Sequence, residues 1–226
     1  MRLKLFQILI ILILCSCNQQ KGRPGTDAVY ADYSITGEEG TDSVTCLLKF
    51  YKNRRVGSTL FLEPPAAVLF DGIAVPGDSA GLSGNYYEVQ KPLAAFNGTH
   101  TIIFKNADGD TYKETFSFEP FSLRHELGET VPRGNITIQL AGFQDTEPIR
   151  LLLTDTSFTS PNINDIDTVR NGKLIITENA LHNVVNGPVM LHLFREEERP
   201  LQHPPANGGK LSITYGLSRT FELVNK

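Results

Sequence analysis

Gly77-Asp78-Ser79-Ala80-Gly81 has the G-x-S-x-G spacing that can present a serine for nucleophilic attack. That chemistry needs a strand, a sharp turn and a helix whose N-terminus holds the serine exposed and strained. Here the flanks are Ala74-Val75-Pro76 and Leu82-Ser83-Gly84, with no helical pattern behind them and no His-Gly-Gly segment ahead. Ser79 is therefore expected in a loop between strands. Asn106, Asp108 and Asp110 have the first three ligand spacings of a calcium loop. Thr111 replaces the glycine such a loop requires and Ser117 replaces its bidentate glutamate, so the segment reads as a hairpin turn. Asp108 with Asp110 is what remains as a metal-site candidate. His100, His125, His182, His192 and His203 include no i, i+4 pair. His192 lies in the apolar run Val189 to Phe194 and reads as a strand residue, and Glu196 to Glu198 read as a solvated strand end. Gly208-Gly209-Lys210 lacks the upstream glycine and the Ser or Thr of a phosphate loop. The expectation is a chain without an enzymatic function or a cofactor.

The N-terminus carries the most specific signal. Arg2 and Lys4 precede an apolar run from Leu5 to Leu14, which is followed by Leu14-Cys15-Ser16-Cys17 and polar Asn18 to Lys21. About ten apolar residues span ~15 Å as a helix, half of the ~30 Å hydrocarbon core, which is a signal-peptide core and not a membrane span. This order of parts resembles the signal peptide and lipobox of bacterial lipoproteins, with Cys15 where Ala or Ser is usual. The resemblance implies cleavage before Cys17, removal of residues 1–16 and lipidation of the Cys17 thiol. Cys15 as acceptor would place Leu14 at the cut, where a small residue is needed. Cys46 is then left with no intrachain partner, so the exported chain depends on its core instead of a disulfide. Losing Arg2 and Lys4 takes the formal charge from −4 to −6.

Residues 17–26 read as the lipidated cysteine and a polar tether, ~35 Å long at full extension. Asp42-Ser43-Val44, Asp78-Ser79-Ala80 and Asp167-Thr168-Val169 resemble the O-glycosylation signal of exported Bacteroidota proteins, which implies Ser43, Ser79 and Thr168 as candidate acceptors. Asp-Ser and Asp-Thr are also ordinary turn pairs. The lipobox resemblance implies an anchor in the outer membrane. No acidic run follows Cys17, so a periplasm-facing anchor is expected, with the cell surface as the alternative.

The elements behind these residues are strands. Val44, Cys46, Leu48 and Phe50 share one parity, which puts Cys46 on a buried face. Val29 to Thr36, Thr59 to Leu62, Ala67 to Phe70, Tyr86 to Gln90, Thr101 to Lys105 and Tyr112 to Phe118 complete about seven strands, the last two forming a hairpin over an Asp-Gly turn. The second half repeats the pattern through Ile136 to Leu140, Ile149 to Leu153, Leu174 and Ile176, Val189 to Leu193, Leu211 to Tyr215, and Phe221 with Leu223. Thr177 to Asn186 is the single helical suggestion. The reading is all-β: two tandem immunoglobulin-like β-sandwich domains, 27–122 and 123–226, joined near Pro120 to Pro132. Hydrophobic residues make up 40% of the chain, enough for such cores, and a net negative charge excludes a nucleic-acid partner. The function expected is non-catalytic binding or scaffolding by a lipid-anchored envelope protein, with the membrane and an envelope protein or glycan as partners. The alternatives are an adhesin or fimbrial-type subunit, which needs an exposed sheet edge, and a serine hydrolase using Ser79.

Overall fold

The computed structural model describes residues 28–53, 57–155 and 163–225. Residues 1–27, with the segments expected as signal peptide, lipobox with Cys17 and tether, lie outside them. The described chain is all-β, with one short 3-10 turn at Leu93–Ala95. In the first half the strands are β1 (Val29–Glu38), β2 (Ser43–Lys52), β3 (Ala67–Phe70), β4 (Ile73–Ala74), β5 (Gly77–Ala80), β6 (Gly84–Pro92), β7 (Gly98–Lys105) and β8 (Thr111–Phe118). In the second they are β9 (Ser122–Leu123), β10 (Thr130–Pro132), β11 (Ile136–Ala141), β12 (Pro148–Asp155), β13 (Ile163–Thr168), β14 (Lys173–Ile176), β15 (Gly187–Pro200) and β16 (Gly209–Val224).

One long sheet runs β13-β12-β15-β16-β1-β2-β6-β5, with β10 also paired to β16. Two short sheets, β4-β3-β7-β8 and β14-β11-β9, supply the opposing layers. Alternate residues of β1, β2, β12, β15 and β16 are buried, as period two requires of strands with one wet face. Phe50 of β2 meets Phe104 of β7 at 4.7 Å between ring centroids, and Phe118 of β8 meets Tyr215 of β16 at 5.8 Å. The buried side chains of both halves form a single cluster.

The two halves share this sheet. Arg195 to Pro200 of β15 pair with Lys210 to Tyr215 of β16, and Gly209 to Gly216 of β16 run parallel to Ala31 to Glu38 of β1. The parts of the same hairpin away from its turn, Gly187 to Phe194 with Gly216 to Leu223, lie beside β12 and β10. A cut at 122/123 thus separates β1 from the strand that flanks it. The Gly77–Ala80 segment, expected as a loop, is the edge strand β5, paired through Ser79 with Asn85. Glu196 to Glu198, expected at a strand end, lie inside β15. Thr177 to Asn186 folds as successive tight turns, Leu181 N–H donating to Glu178 O and Val184 N–H to Leu181 O, and not as a helix.

Cys46 is fully buried on β2, on the face its parity indicated. Burial pushes its thiol up to about 12, Asp71 adding to the rise and Lys91 opposing it. The folded chain therefore holds Cys46 as a neutral thiol. Its contribution is present at neutral pH and is lost as pH climbs from the free-thiol range toward 12, where the unfolded chain ionises first. Thiol reagents should modify Cys46 at a rate near that of free cysteine only after denaturant is added, and Cys46→Ala should cost about 1 kcal/mol. Mass spectrometry of labelled native and unfolded protein checks the first, and urea titration the second.

Candidate functional site: a cleft at the far end of the long sheet

The chain enters the fold at Ala28, whose carbonyl accepts from Asn53 N–H at 2.7 Å. From there β1 runs alongside the start of β16, which continues for 16 residues, or ~50 Å. Around its far end β10 pairs with Glu222 to Val224 and Gly187 pairs with Leu223. There a cleft of about 750 Å³ is lined by Glu178, Asn179, His182, Val185, Asn186 and Asn225, among others.

Arg133 builds this wall. Its Nη1 donates to Leu181 O at 2.7 Å, its Nη2 to Val184 O at 2.6 Å, and Nε and Nη2 both to Asn186 Oδ1 at 3.0 and 2.6 Å. Asn186 Nδ2 then donates to Asn225 Oδ1 at 2.6 Å. From beneath, the Asp155 carboxylate accepts from Val185 N–H at 3.1 Å. One guanidinium thus satisfies the Val184 carbonyl and adds a second donor to the Leu181 carbonyl, which fixes the loop without helix or disulfide. The result is an open surface of amides, an imidazole and a carboxylate beside Val185, which is 45% exposed. Such a surface can exchange hydrogen bonds with a polar ligand, and nothing in it supplies an activated nucleophile. Sequence reasoning missed the site because Arg133 is 48 residues or more from the carbonyls it holds. A lone Arg after Pro132 gives no signal.

A second pocket of about 270 Å³ sits where the halves meet, lined by Ser117, Glu119, Gln144, Glu147, Arg195 and Tyr215 among others. Arg195 donates to Glu119 O, Gly142 O and Glu147 Oε2, and its guanidinium lies 4.1 Å from the Phe143 ring centroid. This is a clamp between the halves. Arg219 makes another, bridging Glu39 and Glu126; its hydrogen bonds hold the Glu126 carboxyl below the usual carboxylate range.

The residues singled out from the sequence are dispersed. Ser79 is exposed on β5, where its N–H donates to Asp78 Oδ1 at 2.7 Å, and no helix follows it. Asn106 and Asp110 bond each other, Asp110 N–H to Asn106 Oδ1 at 2.8 Å and Asn106 Nδ2 to Asp110 Oδ2 at 3.0 Å, closing the hairpin turn. Asp108 is exposed beside them, and no cluster of three metal-binding side chains occurs among the described residues. His192 stands on β15 with its ring parallel to Phe194, 6.0 Å away. Ser43 opens β2, and Thr168 closes β13.

The edge strands carry a shared device. On β13, Ile166 N–H donates to Asp165 Oδ1 and Thr168 N–H to Asp167 Oδ1, at 2.8 and 2.6 Å, as Ser79 N–H does to Asp78 on β5. The edge strand β8 has its Lys113 and Thr115 carbonyls facing His203 Nδ1 and Arg199 Nη2, at 3.2 and 3.1 Å. These main-chain groups are therefore not available to template another strand.

No family model matches the chain, and no curated protein does. Among solved structures the chain is similar to the Bacteroides ovatus mixed-linkage glucan utilization locus protein SGBP-B, in complex with a mixed-linkage heptasaccharide. The identity is 11% and the TM-score 0.25, over 88% of this chain and 61% of that one. The chain thus spans less than two thirds of that protein.

Two outcomes follow. Arg133→Ala should destabilise the fold by about 2 kcal/mol, because it removes the donor of the Val184 carbonyl and the anchor of Asn186, and should speed amide exchange at Leu181 to Val185 first. The triple variant Asp78→Ala/Asp165→Ala/Asp167→Ala should self-associate in sedimentation velocity. The same three positions changed to Asn keep an acceptor oxygen and should sediment as the native chain does.

Proposed function

We propose that the chain is a lipid-anchored cell-envelope protein, held through Cys17 to the outer membrane on its periplasmic side, with a non-catalytic binding role exercised in the far cleft. The observation that carries this reading is polarity along one axis. The polypeptide enters at Ala28, and the amide-lined cleft lies at the other end of β16. An anchor at the first end presents the second to whatever lies beyond the membrane. The ligand class that suits the cleft is rich in hydroxyl or amide groups, since the wall offers Asn179, Asn186, Asn225 and His182 beside the exposed Val185. Assembly by strand addition finds less support, because outward N–H groups on β5 and β13 are taken by carboxylates. Cys17→Ser should abolish incorporation of labelled palmitate and leave uncleaved precursor, whereas Cys15→Ser should do neither. A photo-crosslinking residue at Asn179 should give a defined covalent product in cells, and the same residue at Lys49, on the outer face of β2, should not. Equal products from both positions would rule the cleft out.

A further inference from the structure

Two large apolar side chains are exposed at the end of the fold where the chain enters. Leu82, in the turn between β5 and β6, is fully exposed at 106%, and Phe61 is 48% exposed. Their placement follows from the register. Val29, the first residue of β1, pairs with Lys52, the last of β2. Tyr51 bridges to Thr59, and Thr59 in turn holds the β5–β6 turn: its Oγ1 accepts from Asn85 N–H at 2.6 Å and its carbonyl from Asn85 Nδ2 at 3.1 Å. Phe61 packs over Tyr87 at 6.3 Å, and Leu62 N–H donates to Tyr87 OH at 2.6 Å, which fixes the 59–62 segment across the ends of β2 and β6. Ala28, Phe61 and Leu82 therefore belong to one end of the sheet, and β1 and β6 are two strand spacings, about 10 Å, apart.

We infer that this end, through Leu82 and Phe61, is a lipid-contacting surface. The inference rests on the lipid-anchor reading above. A chain of ten residues between Cys17 and Ala28 spans ~35 Å at most and ~18 Å as a random coil, so an anchored chain keeps this end within reach of the bilayer interface. A leucine held fully in water on a fixed turn gains by entering that interface, and a half-exposed phenylalanine at the same end of the sheet is the kind of ring that lies at the headgroup boundary. Glu63 and Asp108 line one pocket with Phe61, and the contact inferred is the apolar one made by Leu82 and Phe61. Contact at this end also sets the direction of β16 and leaves the far cleft pointing away from the membrane.

The chain has no tryptophan, so a substituted one reports alone. Residues 17–226 carrying Cys46→Ala are coupled through Cys17 to maleimide-bearing phosphatidylcholine vesicles that contain dibrominated lipid. Leu82→Trp should shift to shorter emission wavelength on coupling and lose intensity to the bromines. Met190→Trp, on the outer face of β15 in the other half, should keep the emission of the uncoupled protein. Leu82 touches solvent alone, and a circular dichroism spectrum matching the parent confirms that each variant is folded. Fully coupled Leu82→Trp protein that shows neither shift nor quenching overturns the inference while leaving the anchor reading intact. Equal quenching at both positions also overturns it, because the molecule then lies flat. The anchor reading fails separately, if labelled palmitate does not enter the native chain in cells.

Discussion

The pairing of the last strand with the first constrains everything else. Gly209 to Gly216 of β16 lie parallel to Ala31 to Glu38 of β1, so a strand made at the end of the chain is laid between β1 and β15 inside the sheet. The fit is close at its start: a Cβ on Gly209 would lie 2.6 Å from Ala31 O and 2.5 Å from Leu201 Cδ1. Gly216, at the other end of the pairing, lies under the Phe194 ring, whose Cε1 would be 2.8 Å from an added Cβ. Glycine is needed at both positions because neighbouring atoms occupy the space a side chain would take. Without this pairing β1 would be an open edge with a buried face exposed, and both short sheets would lose their common backing.

Cations at the seam reinforce the arrangement. Glu114 of β8 is almost fully buried, and a carboxylate there is tolerable only because Arg199 Nη1 donates to it at 2.6 Å and Gln202 N–H at 2.7 Å. Both partners come from the C-terminal hairpin. Arg195 and Arg219 likewise reach from β15 and β16 to the 119–147 region. The hairpin thus supplies shared strands and also the charges that close the seam, which leaves the two ends of the molecule free for different tasks.

Much of the fold was legible because period-two burial is a local property. The strand at Ala67 to Phe70 and the inward parity of Cys46 followed directly from residue types. Leu211, Ile213, Tyr215, Leu217, Phe221 and Leu223 all share one parity, yet nothing local says that the first three serve one half and the last two the other. That partition depends on strand order, which is set by packing between residues some 180 apart. Ser79 shows the opposite failure: its Gly- and Ser-rich flanks predicted a loop, and four residues of pairing to β6 made it an edge strand. The cleft was invisible because its defining contacts join Arg133 to carbonyls, which carry no residue-type signal.

The central claim is that β15 and β16 make both halves one cooperative unit. It is tested most directly by amide exchange along a urea series, followed residue by residue at Tyr33 and Ile35 of β1 and at Leu151 and Leu153 of β12. One unit predicts the same opening free energy and the same urea dependence at all four sites, converging on the value for global unfolding. Separate values, with β12 opening at urea concentrations where β1 stays fully protected, would show that the two halves unfold independently and contradict the account.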